Sequence, residues 1–138
     1  QSDIVLRLTD LQNDKRSLRT GLIKERGILT SAYVTIKPIK AICSSYFHYA
    51  LHSYDIMKVF YNMGNGVRQG LNYDELSKCA LIAPPLSEQQ EIAEYLDKKC
   101  AEIDAVISDK QTGIQTLESY KKSLIYEYVT GKKEVRRA

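Results

Sequence analysis

His48 and His52 stand four residues apart, a spacing that puts two potential zinc ligands on one helix face. A zinc-protease helix also needs Glu directly after the first His, and here Tyr49 stands there. No third ligand is indicated, so a structural or solvent-exposed pair is the expected reading. Gly64-Asn-Gly66-Val-Arg-Gln-Gly70 is rich in glycine. It has neither Rossmann spacing nor the Lys-Ser/Thr of a phosphate loop. What it offers is Asn65, Arg68 and Gln69: Arg can grip guanine, and Asn or Gln adenine, through paired hydrogen bonds. Read from composition alone, the same loop is a solvated turn. Lys15, Arg16, Arg19, Lys24 and Arg26 fall within one short stretch whose only acid is Glu25. They could contact phosphates and release counterions, or form a charged surface loop; composition leaves both open.

Other chemistry is poorly supported. Amino-methyltransferases hold the target amine with Asn or Asp ahead of Pro-Pro-aromatic; here the run is Ala83-Pro84-Pro85-Leu86, so the motif is absent. No acid pair or nucleophile–base pair stands out. Ten of the twelve aromatics are tyrosines, and several fall on helix faces as core or interface residues.

The elements that must position these residues follow from pattern. Asp3-Ile-Val-Leu-Arg-Leu8 is apolar and partly β-branched and reads as a strand, followed by turn formers. Ala32-Tyr-Val-Thr-Ile36 is a second strand, ending before Pro38. A helix over Tyr46 to about Asn62, capped by Ser44 or Ser45, has apolar residues at spacings of three and four. Gly64-Asn65-Gly66 ends it. Tyr73–Leu76 is a single helical turn, and Cys79–Ala83 a buried strand stopped by Pro84-Pro85.

The last element is the clearest. Ser87 and Gln90 fit a capping box, and the helix should run from about Glu88 to Thr130 before Gly131 stops it. At about 1.5 Å per residue it is roughly 60 Å long. Leu96, Ile103, Lys110, Leu117 and Leu124 recur every seven residues. So do Cys100, Ile107, Ile114, Lys121 and Tyr128, offset by four. This heptad seam must face another helix; its two lysines lower stability but can set register. Gly113 weakens the helix by about 1 kcal/mol relative to Ala.

Totals bound the rest. The 138 residues suit one domain and one modest core. The net charge of +3 is a weak indicator of nucleic acid, but its distribution is uneven. Residues 1–41 hold eight Lys/Arg against four Asp/Glu, whereas residues 87–138 hold nine against ten. Cys43, Cys79 and Cys100 are odd in number, widely spaced and free of any CxxC, as suits a reducing cytoplasm. No membrane span or signal peptide is visible. The chain begins at Gln1 and runs at once into a strand, so a preceding segment is expected.

Pro84-Pro-Leu-Ser-Glu-Gln-Gln-Glu-Ile-Ala-Glu-Tyr-Leu-Asp97 resembles the P-P-L-x-E-Q-x-x-I-A-x-x-L-D segment of type I restriction-modification specificity subunits. Ile103-Asp104, Leu117–Ile125 and Val129-Thr-Gly131-Lys are similar to its continuation. Gly27–Tyr33 and Gly64–Gln69 resemble the second half of that family's target-recognition domain.

The resemblance implies an α+β fold: a partial mixed-sheet target-recognition domain over 1–86, a long coiled-coil spacer helix over 87–131 and a basic tail over 132–138. Such subunits carry two recognition domains, each reading half of a split double-stranded DNA site. Their long helices pair antiparallel and set the gap. Methyltransferase subunits bind around them, and a separate endonuclease/translocase subunit cuts. The specificity subunit has no catalytic residues, metal or cofactor of its own. The expected DNA-facing set is Lys15, Arg16, Arg19, Lys24, Arg26, Asn65, Arg68 and Gln69. The expected helix-pairing set is Leu96, Cys100, Ile103, Ile107, Ile114, Leu117, Leu124 and Tyr128. A chain holding one seam is expected to self-associate as an antiparallel pair. The alternative is a helix-pairing assembly module without direct DNA contact.

Overall fold

The structure is a computed structural model that describes residues 2–9, 11, 19–39, 42–63 and 70–135. It divides into two compact units, 1–95 and 96–138.

In the first unit the apolar run near the start forms β1 (Ile4–Arg7). It is flanked by β2 (Thr20–Leu22) and β3 (Tyr33–Ile36) in the order β2-β1-β3. Both pairings are antiparallel, with Leu6 opposite Thr20 on one side and Val34 on the other. The α+β class is as expected, but the described strands make an antiparallel sheet where a mixed one was expected. β2 was not legible: three residues inside a charged stretch show no alternation. Gly21 suits its place opposite Val5, because an added Cβ there would sit 3.3 Å from the valine side chain.

Alternation buries Ile4, Leu6 and Leu8 on one face of the sheet. Onto them pack Leu51, Phe60, Leu71 and Leu76. Leu51 comes from α1 (Ser44–Ile56), which is shorter than the helix expected to reach Asn62. Lys58 adopts the left-handed region at φ 61°, which costs an L-residue about 1–3 kcal/mol and breaks the helix. A 3₁₀ turn (Val59–Asn62) follows and swings Phe60 inward until it is fully buried. Met57, just past the end of α1, is 62% exposed.

Ser44 and Ser45 do not cap α1. Cys43 stands at the N-cap without a side-chain cap bond, and Ser44 is already helical. The expected turn at Tyr73–Leu76 is α2. Asn72 and Glu75 cap it reciprocally, at 2.9 and 3.0 Å, so a four-residue helix holds Leu76 in the core.

The expected strand at Cys79–Ala83 is absent: these residues join no ladder, and Ile82 is 79% exposed. The Tyr54 hydroxyl donates to the Ala80 carbonyl at 2.7 Å and the Tyr46 hydroxyl to the Ile82 carbonyl at 3.1 Å. Side chains of α1 thus satisfy carbonyls that a ladder would otherwise claim.

α3 (Leu86–Val129) starts two residues before the expected Glu88, so Ser87 lies inside its first turn and not before it. It ends as expected at Gly131, whose φ of +73° few other residues tolerate. Beyond it, Lys133 returns to Glu127 at 2.6 Å, and that hydrogen bond and charge push the lysine pKa up.

Candidate nucleic-acid interface

Two of the expected DNA-facing cations stand in solvent. Lys24 and Arg26 lie on the connection between β2 and β3, where residues 24–31 are all exposed. β2 and β3 flank β1 and run parallel to each other, so the connection returns along the length of the sheet, from the Ile4 end of β1 to its Arg7 end, without joining the ladder. Ile28 within it is fully exposed. Lys15, Arg16, Asn65, Arg68 and Gln69 lie outside the described residues.

Arg19 is placed differently from its expected phosphate contact. It is only 2% exposed. Its backbone N–H donates to the Asp55 carboxylate of α1, and its Nη1 donates to the Thr9 carbonyl at 2.8 Å. Its backbone carbonyl accepts from Arg7 at 2.8 Å, and its guanidinium sits 6.0 Å from the Tyr61 ring. Arg19 therefore braces the sheet against α1. Neighbouring cations of one sequence stretch separate here because the onset of β2 turns one side chain inward while the connection leaves the others in water.

The histidine pair lies on α1 with ring centroids 5.8 Å apart. Nδ1 of His52 is 3.3 Å from the Thr20 hydroxyl, which ties α1 to β2. Among the described residues no three or more His, Cys, Asp or Glu gather as a metal site would require. Burial pushes the Cys79 thiol pKa up, which favours the neutral form and suits a packing role. Among the described residues, no helix is long and apolar enough to cross a membrane.

Gln89 is the residue that sequence reasoning missed. It is 3% exposed on the first turn of α3. Its Oε1 accepts from the Cys43 N–H at 2.9 Å, and its Nε2 donates to the Pro84 carbonyl at 2.8 Å. One amide thus satisfies the N-cap of α1, where a serine was expected, and also the bend into α3. The signal was present in Pro84-Pro-Leu-Ser-Glu-Gln89, but a polar residue at a helix start reads as exposed. Gln89→Ala leaves one donor and one acceptor unpaired and should destabilise the first unit by about 2 kcal/mol. Urea denaturation measures this; a midpoint equal to the parent's would show that water replaces the amide.

In the second unit, the stripe of α3 is uncovered. Ile103, Ile107, Ile114 and Leu117 are 57, 47, 57 and 67% exposed, and Cys100 and Tyr128 are also exposed. Leu96 and Leu124 are half-buried.

The first unit is a small α+β lobe with solvent-facing cations, and the helix of the second unit bears an exposed apolar stripe. The chain belongs to the type I restriction modification DNA specificity domain family, whose model matches residues 19–116. No curated protein and no solved structure matches it. The matched span runs from the brace at Arg19 through Lys24, Arg26 and Gln89 and into the striped helix. The family role is DNA sequence recognition in type I restriction-modification.

Proposed function

We propose that residues 1–86 are the C-terminal half of a target-recognition domain reading one half of a bipartite DNA site. Lys24 and Arg26, with Lys15 and Arg16, contact phosphates. Asn65, Arg68 and Gln69 approach base edges. Arg19 holds the lobe in shape from within. Residues 87–131 form a spacer helix that pairs antiparallel with a similar helix and offers a docking site to methyltransferase subunits. An endonuclease/translocase subunit joins the full complex, and the recognition chain contributes no catalytic group.

The observation that carries this reading is the family match over residues 19–116. The exposure of Lys24 and Arg26 supports phosphate contact, and the uncovered stripe supports helix pairing. In the assembled complex, Lys24→Glu with Arg26→Glu should weaken binding to all duplex sequences alike. It should also reduce the slope of log affinity against log salt by about 2. A salt series on the parent and the variant measures both. An unchanged slope would remove this connection from the phosphate contacts.

A further inference from the structure

We infer that two copies of this chain pair through α3 in one antiparallel register, in which paired residue numbers in the stripe sum to 224. This rests on the reading of α3 as a self-pairing helix and adds the alignment that reading leaves open.

In an antiparallel pair the two heptad positions of the stripe alternate across each layer. A sum of 224 sets Leu96 against Tyr128, Cys100 against Leu124, Ile103 against Lys121, Ile107 against Leu117 and Lys110 against Ile114. Every residue of both sevenfold series then has a partner, and each lysine faces an isoleucine. Sliding one heptad to a sum of 231 sets Lys110 against Lys121 twice across the two-fold axis and brings two cations together at each. Sliding the other way, to 217, sets Leu124 against Ala93 and Tyr128 against Gln89. Those two partners are each 3% exposed, already covered within the first unit.

The flanks choose the same alignment. Beside the stripe runs the series Lys99, Val106, Gly113, Tyr120 and Glu127. In the 224 register this series meets its own copy reversed: Lys99 faces Glu127, Val106 faces Tyr120 and Gly113 faces Gly113. Charge meets opposite charge, and apolar meets apolar. Val106 and Tyr120 are 58% and 61% exposed in the single chain, outside a simple two-series seam. On the other flank Lys121 comes beside Asp104 of the second copy. Lys99 and Glu127 now hold Glu102 and Lys133 at 2.7 and 2.6 Å, the first pair exposed and the second partly so, and both can exchange partners at modest cost.

Gly113 supplies a further reason. A Cβ built on it meets nothing within 4 Å, so its own chain gives no cause for a residue that weakens the helix. At the two-fold axis it has one. Helical side chains lean toward the N-terminus, so the two Tyr120 rings converge on the axis from either side, and glycine leaves them room.

Site-directed disulfide formation in the full chain tests this. With Cys43 and Cys79 replaced by Ser, Cys100 is kept and Leu124→Cys is added. Mild oxidation should link position 100 of one copy to 124 of the other, because the layer brings these positions within the reach a disulfide needs. Leu117→Cys in place of Leu124→Cys reports the 217 register and should link far more slowly. Lys99→Glu should weaken the dimer roughly 3- to 10-fold, and adding Glu127→Lys should restore it. Light scattering separates the two levels. A monomer at all concentrations would refute self-pairing itself. A dimer linking faster through position 117, or through Cys100 of both copies, or through neither design, would refute the register and leave self-pairing standing.

Discussion

Ile107→Glu with Leu117→Glu is expected to abolish the proposed pairing of α3 and leave the chain monomeric. Both side chains are exposed in the single chain, at 47% and 67%, so neither holds α3 together internally. Far-UV circular dichroism should therefore show the same helix in the dissociated variant, apart from any helix that pairing itself stabilises. In a pair, each copy loses two buried aliphatic side chains. At about 1.5 kcal/mol each, the lower figure for a buried Leu or Ile, the four together amount to about 6 kcal/mol. That is about ten-thousandfold in the dissociation constant. Four carboxylates forced between the helices raise the cost further, because each must be desolvated or protonated. Sedimentation over a wide concentration range measures the effect. If the variant associates like the parent, α3 pairs by some other face.

Phe60→Ala will carry the largest cost to folding of the lobe, about 3–5 kcal/mol. Phe60 is fully buried, and the helix break at Lys58 places it against Leu6, Leu8 and Leu51. Native domains are stable by only about 5–15 kcal/mol, so this loss removes a large part of the total. Ile82→Ala is the informative comparison, because an apolar run ahead of Pro84-Pro85 reads as a buried strand. With 79% of Ile82 in solvent, its truncation should change stability by no more than about 0.5 kcal/mol. Urea midpoints of the two variants make the comparison. Equal destabilisation would restore the strand and contradict the hydrogen bonds from Tyr46 and Tyr54.

The length and stripe of α3, the turn at Tyr73–Leu76, the first strand and the family likeness of Pro84–Asp97 were all legible in the residues. Each rests on local signals: periodicity, caps, glycine and proline. α3 carries its pattern over 44 residues, which no irregular segment imitates. β2 and the fate of Cys79–Ala83 were not legible, because three-residue edges and extended runs take their state from what lies beside them.

The same division holds in the basic stretch. Clustering marked Lys15 to Arg26 as one basic stretch, and composition could go no further. Only the folded chain turned Arg19 inward to Asp55 and Thr9 while leaving Lys24 and Arg26 in solvent, because burial is set by residues 36 and 10 positions away. Gln89 shows the same effect: its partner Cys43 is 46 residues distant. Sequence by itself determined what is periodic and short-range, namely the helix, its stripe and its stops. Tertiary structure decided which polar side chains hold the lobe together and which face outward, because those choices depend on donors and acceptors that meet only after the chain has folded.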